Sequence, residues 1–350
     1  MIEIDGSQGE GGGQVLRSAL TLSIITGKEM RIIDIRANRS KPGLKPQHLK
    51  AVDAAAAISK ARVEGAALNS TSLMFSPSSI RSGRYKFDIG TAGSTSLVLQ
   101  TIFLPLSLAN SASSIIISGG THVPWSPCFH YIDLHWMNYL HYMGFNADLC
   151  LDQAGFYPRG GGRITATVRP VHAIKPIQLT NRGKLLQITG ISGVANLDLS
   201  IAKRQKLQAL NRILELSEFI DSSKIGIRTI KMPSHCKGTL LLLLAHFEYS
   251  QCCYFALGKL GKPAERVADE AVDYLFEFLE TDGAVDTYLA DQLLLPACLA
   301  EGISEISTNQ LTPHLETNAE IIQAFLPIRI EIQDRNGGAV TIRVISENTI

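Results

Sequence analysis

A chain of 350 residues, 45% hydrophobic and 19% charged, has room for one large or two modest domains around a sizeable core. That composition excludes a disordered protein. A formal net charge of +1 gives no global field for a polyanion, so any nucleic acid has to be met by a local basic patch.

The residues Ile2 to Ile4 read as a short strand, followed by Asp5-Gly-Ser-Gln-Gly-Glu-Gly-Gly-Gly-Gln-Val-Leu-Arg17. Five of the eight residues from Gly6 to Gly13 are glycine. The run Val15 to Leu22 has helical apolar spacing with Gly27 as its stop. Strand, glycine loop and helix start let backbone N–H groups approach an anion. No Gly-Lys-Ser/Thr follows and the order is not G-x-G-x-x-G, so a phosphate or substrate loop and an ordinary tight turn stand equal.

A strand over Met30 to Ile35 leads to a Pro-Gly turn carrying Arg36, Arg39, Lys41 and Lys45, then Gln47 and His48. Composition alone favours a solvated loop, and a phosphate clamp is the sharper alternative. Leu49 to Ala61 reads as an alanine-rich helix and Asn69 to Ser82 as a polar, turn-rich piece. The strand Tyr85 to Ile89 and the loop Gly90-Thr-Ala-Gly93-Ser-Thr-Ser96 open an apolar helix from Leu97. Gln100, polar inside that helix, requires a partner or a cavity. Ser113 to Ser118 is a strand ending in Gly119-Gly-Thr121-His122-Val-Pro-Trp125-Ser-Pro127. A helix from Phe129 to Met143 follows, and its His130, His135 and His141 are too irregularly spaced for a metal site. They read as surface or packed histidines.

Three strand–loop–helix units before residue 150 point to an internal repeat. The third closes with strands at Asn146 to Leu151 and Arg163 to Arg169, flanking Tyr157-Pro-Arg159-Gly-Gly-Gly162. Pro170, Pro176 and Gly183 mark a boundary. Beyond it come a strand (Leu185 to Gly190), a helix (Ala195 to Ser217), strands at Ile225 to Lys231 and Thr239 to Phe247, a further strand at Tyr254 to Gly258 and a helix (Pro263 to Leu279). This is an α+β insert of small-domain size. Tyr288-Leu-Ala-Asp291-Gln292 resumes apolar helical periodicity, interrupted by two polar residues. Glu305 to Ser307 reads as a short strand, Leu311-Thr-Pro-His314 as a loop and Ala319 to Phe325 as a helix. Strands at Ile328 to Gln333 and Ala339 to Val344 flank an Asn336-Gly337 turn.

Six cysteines, at 128, 150, 236, 252, 253 and 298, form no C-x-x-C pair and lack metal-site spacing. No secretory signal is expected ahead of the first strand, and the most apolar run, Leu240 to Ala245, is too short for a bilayer. A reduced, cytoplasmic enzyme without membrane attachment is the expectation.

Taken together, Asp5 to Arg17, Ile35-Arg-Ala-Asn-Arg-Ser-Lys-Pro-Gly-Leu44, Gly119-Gly-Thr121, Tyr157 to Gly162, Tyr288 to Gln292 and the His314 segment resemble the RNA 3′-terminal phosphate cyclases. The resemblance covers nearly the whole chain. It implies an α/β (α+β) fold with a large domain of three repeated β/α units, residues 1–183 plus 285–350, similar to the enolpyruvyl transferases. A smaller α+β domain, residues 184–284, is inserted into it. It also implies ATP-dependent conversion of an RNA 3′-terminal phosphate to a 2′,3′-cyclic phosphodiester, through a covalent histidyl–AMP on His314 and an RNA-adenylate, releasing AMP and pyrophosphate. By the same resemblance Tyr288, Leu289, Ala290, Asp291, Gln292 and Gln100 line the ATP site, with Pro127 and Tyr131 on the other side of the adenine slot. Glu10 matches a contact to Mg²⁺ or Mn²⁺ bridging the ATP phosphates. Arg17, Arg36, Arg39 and Gln47 match the wall that holds phosphates, of ATP or of the RNA end. The stretch His122 to Cys128 departs from the bacterial pattern of the family. A non-catalytic cyclase-like RNA-processing factor is the alternative, and retention of His314 with Tyr288 to Gln292 favours the enzyme. A homodimer is a general expectation for soluble enzymes.

Overall fold

The chain opens with a strand–helix–strand step that the rest of the fold repeats. In this computed structural model, residues 1–9, 12–214, 221–334 and 339–346 are described. The first unit comprises β1 (Ile2–Asp5), α1 (Gly13–Thr26), β2 (Met30–Ile33), α2 (Pro46–Ser59), β3 (Arg62–Glu64) and β4 (Leu73–Ser76). Its sheet has the order β1-β2-β4-β3, with β1 and β2 parallel and the other neighbours antiparallel. The second unit begins with β5 (Arg84–Asp88), α3 (Thr95–Ser107) and β6 (Ser113–Gly119). A helical stretch follows, running from α4 (Phe129–Tyr131) through a π turn (Ile132–Trp136) into α5 (Met137–Tyr142). With β7 (Asn146–Gln153) and β8 (Gly162–Arg169) the sheet has the equivalent order β5-β6-β8-β7.

The third unit starts with the two-residue β9 (Gln178–Leu179) and is then interrupted. The interruption holds β10 (Leu185–Ala195), α6 (Leu199–Ile213), β11 (Ile225–Met232), β12 (Gly238–Phe247), β13 (Gln251–Leu257) and α7 (Ala264–Leu279). Its sheet runs β11-β10-β12-β13. The third unit resumes with α8 (Thr287–Cys298), β14 (Gly302–Thr308), α9 (Pro313–Phe325), β15 (Arg329–Gln333) and β16 (Val340–Ser346). Its order, β9-β14-β16-β15, again places one parallel pair beside two antiparallel ones.

The repeat therefore has a longer period than the sequence reading gave it. Each unit holds two strand–helix steps and a closing antiparallel pair, so the three glycine-loop segments before residue 150 belong to only two units. One short strand, β4, lies inside the piece from Asn69 to Ser82 that was read as polar and turn-rich. In β4, Leu73 and Phe75 alternate with Met74 and Ser76, the period-2 signature of a half-buried strand, but over only four residues. The expected Asn336-Gly337 turn, and the end of the expected helix at 215–217, lie outside the described residues.

Helices α1, α3, α8 and α9 pack face to face and share one core with the three sheets. Helix α1 is buried along most of its length and ends at Gly27, whose φ of 67° supplies the left-handed stop. In the interrupting segment, Val267, Ala268, Ala271, Val272, Leu275 and Phe278 form the apolar stripe of α7 against its sheet. The other face of that sheet sends Leu240, Leu242, Leu244 and Cys253 into the main core. No helix among the described residues is long and apolar enough to cross a membrane.

Candidate active site

The glycine loop is held against the C-terminal part of the chain at van der Waals distance. Gly9 has φ +56°, and a Cβ there would lie 1.9 Å from Oγ1 of Thr317, in the first turns of α9. On its other side, a Cβ on Gly12 would lie 3.0 Å from a guanidinium nitrogen of Arg39, and one on Gly13 would lie 2.5 Å from Nε2 of His48 and 2.8 Å from Arg17. Here glycine is required by close approach as well as by φ. Glu10, the expected metal contact, lies outside the described residues. Among the described residues no group of three or more His, Cys, Asp or Glu is placed to hold a metal ion.

His314 stands in the first turn of α9, not in a loop. Thr312 caps the helix by accepting from the Leu315 N–H (3.2 Å), and Pro313 at the first position presets φ, so the helix starts six residues before the expected Ala319. One turn further along the same face, Asn318 accepts a hydrogen bond from the Ser18 hydroxyl (2.7 Å) and donates to Oδ1 (3.1 Å) and the carbonyl (3.2 Å) of Asp291. This one buried amide ties α1, α8 and α9 together. Beside it, Gln100 Nε2 donates to Gln292 Oε1 at 2.7 Å, which joins α3 to α8. Gln14, Arg17, Gln100, Asp291, Gln292 and Asn318 rim a narrow cavity of about 70 Å³ floored by Leu104, Trp136 and Leu295.

The cleft is electropositive. Burial lowers the Arg17 pKa to about 10 against the opposing pull of Asp291, which leaves the guanidinium charged at neutral pH. Burial, then the charges of Arg17, Arg36 and Lys45, push the His48 pKa down to about 3. His48 is therefore a neutral ring, its Nδ1 accepting from the Lys45 N–H at 3.1 Å. Arg36, with φ +59°, donates to the Lys41 and Gly43 carbonyls (2.8 and 2.9 Å) and braces its own loop. Gln47, the neighbour of His48 in sequence on α2, accepts from the Ser94 N–H (2.7 Å) at the start of α3.

Helical periodicity sorts the Tyr288–Gln292 stretch. Tyr288 is exposed and Asp291 and Gln292 are half-buried on the same side, whereas Leu289 and Ala290 are fully buried in the core. The side chains of the two apolar residues, expected to line the site, pack inward. Tyr131 is buried as well. Only 1% exposed, it donates its hydroxyl to Asp286 (3.0 Å). Pro127, four residues earlier, is half-buried at the surface.

The family model for RNA 3′-terminal phosphate cyclase matches residues 8–332. The chain is 43% identical over 340 residues to an RNA 3′-terminal phosphate cyclase of Koribacter versatilis, covering 97% of this chain and 94% of that one. It is 44% identical over 338 residues to the protein of the same name from Caldivirga maquilingensis, covering 96% of each. The chain belongs to the RNA 3′-terminal phosphate cyclase family.

Within this cyclase-family chain, sequence reasoning passed over three residues that the geometry makes central. Thr317 and Asn318 lie three and four positions after His314, and their helical spacing was the available signal once the helix start was recognised. His48 was visible beside the basic loop, but only the fold brings it against Gly13.

Proposed function

We propose that this protein uses ATP to convert an RNA 3′-terminal phosphate into a 2′,3′-cyclic phosphodiester, with His314 as the nucleophile. The observation that carries the reading is the position of His314. It is in the first turn of α9, one turn before Thr317, which meets the glycine loop, and Asn318, which lines the cavity together with Arg17. Helix N-termini favour anions, and Arg17 and Arg39 add the positive charge that phosphates require.

In this reading an imidazole nitrogen of His314 attacks the ATP α-phosphorus. An N–P bond forms, the bond to pyrophosphate breaks and the ring proton is lost. An oxygen of the RNA 3′-phosphate then attacks the same phosphorus, the N–P bond breaks and AMP is joined to the RNA end. Finally the 2′-hydroxyl attacks the terminal phosphorus, loses its proton and expels AMP. The last step is intramolecular, for which effective molarities of about 10⁵ M or more apply, so activation is the harder task. Asp291, Gln292, Gln100 and the exposed ring of Tyr288 would hold the nucleotide, with Pro127 opposite. Arg17, Arg36, Arg39 and Gln47 would hold phosphates. Mg²⁺ or Mn²⁺ would accompany the triphosphate with Glu10 as its carboxylate. Residues 1–183 and 285–350 form the catalytic domain in this reading, and residues 184–284 an inserted one. Six free thiols support a cytoplasmic setting.

Incubation with α-phosphate-labelled ATP and Mg²⁺ should leave label in an acid-labile, alkali-stable bond. His314→Ala should abolish labelling without unfolding the protein. Labelling of that variant at the wild-type level would remove His314 as the nucleophile.

A further inference from the structure

Trp125 is 97% exposed and has φ +58°, a left-handed conformation that bulky residues rarely adopt. Its loop is bridged to another at the His122–Phe156 pair, where the Thr121 and His122 N–H groups both donate to the Gly155 carbonyl (2.9 and 3.0 Å). The second loop presents Tyr157, 67% exposed, and the exposed Arg159. A third loop joins through the Ala154–Ser234 bridge and presents Lys237. No aspartate or glutamate occurs in residues 120–128, 154–162 or 233–238. Among the described residues, neither Arg159 nor Lys237 has an ion-pair partner.

This surface is continuous with the cleft. A Cβ on Gly160 would lie 2.7 Å from Cα of Ala92, and two residues on, Ser94 donates to Gln47 at the head of α2. His48, next to Gln47, touches Gly13 and the Arg17 wall. Two exposed rings and two cations without ion-pair partners, on three loops that contain no acid although Asp198 lies beside Lys237, are the chemistry of a single-stranded nucleic-acid platform. Rings stack with bases of any identity, and cations follow the backbone.

We propose that Trp125 and Tyr157 stack the unpaired bases immediately 5′ of the terminal phosphate, with Arg159 and Lys237 along the intervening phosphates. The proposal rests on the cyclase reading for its substrate, but its test does not depend on catalysis. The chain has two tryptophans, and Trp136 is buried, so emission from Trp125 reports on this surface. Titration with a 3′-phosphorylated single-stranded RNA of about ten nucleotides, without ATP, should quench fluorescence in the wild type. Trp125→Ala should lose the quench and Trp125→Phe should retain the affinity. In cyclisation assays Trp125→Ala and Tyr157→Ala should each raise KM for that RNA about tenfold, in line with the loss of one stacked base, with kcat little changed. KM for a 3′-phosphorylated dinucleotide should shift much less. Circular dichroism reports that the variants are folded, and ATP labelling, which involves no RNA, reports on their nucleotide site. An unchanged KM for the longer RNA in both variants, or no quench in the wild type, overturns the platform. Loss of ATP labelling in Trp125→Ala also overturns it, by placing the ring in the nucleotide slot. Absence of labelling in the wild type defeats the cyclase mechanism instead, and the quench still decides the surface.

Discussion

Gly9 and Thr317 make the tightest contact between the beginning and the end of the active site. Because a methyl group at Gly9 would overlap Thr317 Oγ1, Gly9→Ala has to push α9 and the glycine loop apart, and φ +56° adds about 1 kcal/mol of strain. We expect activity to fall at least tenfold with only a modest loss of stability. Thr317→Ala in the Gly9→Ala background should restore part of it, because the overlapping oxygen is gone. Activity and urea midpoints of the two single variants and the double variant check this, and equal losses in both backgrounds would contradict the overlap. The example also shows what a residue-level reading can reach. Composition left the loop balanced between anion site and turn, since the residue that decides the matter, Thr317, is some three hundred positions away. Once His314 was identified through the family pattern, Asn318 was within reach by helical spacing alone.

At the scale of elements, the side chains near α8 divide between surface and support. Asp286 caps this helix by accepting from the Leu289 N–H (3.0 Å), and is fully buried. It also accepts from Tyr131 (3.0 Å), from His135 Nε2 (2.7 Å) and from the Cys253 N–H (3.3 Å). One carboxylate thus joins the π turn of the second unit, a strand of the interrupting segment and the helix that carries Asp291. Removing it leaves several buried donors unpaired, each costing about 1–3 kcal/mol. Asp286→Ala should therefore lower the unfolding free energy by about 3–5 kcal/mol, the sum of a few such unpaired donors, as read by denaturant titration. A change below about 1 kcal/mol would show that the donors find other partners. None of this was legible from the sequence, where Asp286 lay outside the motif and Tyr131 stood out only by family position. Within Tyr288 to Gln292 the sequence showed apolar helical periodicity interrupted by two polar residues, and the structure turns Leu289 and Ala290 inside.

For the molecule as a whole, three buried histidines govern the response to acid. The pKa of His48 is lowered to about 3, chiefly by burial and then by nearby cations. His130 is lowered to about 4 by burial and Arg228, and His122 well below its ordinary value by burial and His130. An unfolded histidine titrates near about 6.5, so between that value and the folded values the unfolded chain binds more protons. Stability is full above about pH 6.5 and declines as the pH falls, by about 2 kcal/mol at pH 5 for each histidine that stays neutral in the fold. Urea midpoints measured from pH 7.5 to 4.5 should show this decline, and His48→Gln should flatten it. A wild-type curve without slope would contradict the buried, uncharged state. At this scale repetition and a change of character after residue 183 were visible in the hydrophobic pattern, but three units were read before residue 150 where the sheets form two. The true period was hidden because short strands such as β9 carry too few residues to register one, and pairing partners such as β14 lie beyond the insertion.

That division of the third unit bears on when the protein becomes functional during its synthesis. Strand β9 pairs with β14, and the loop before α1 meets α9, across nearly the full span of the chain. At about 5–20 residues per second, the ribosome exposes the glycine loop many seconds before the helix that completes its surroundings. The early segments can fold as units while translation continues, yet the cleft lacks His314, the nucleophile proposed above, until α9 has emerged and docked. A nascent chain is thereby kept from acting on RNA ends, including those close to the ribosome that is making it.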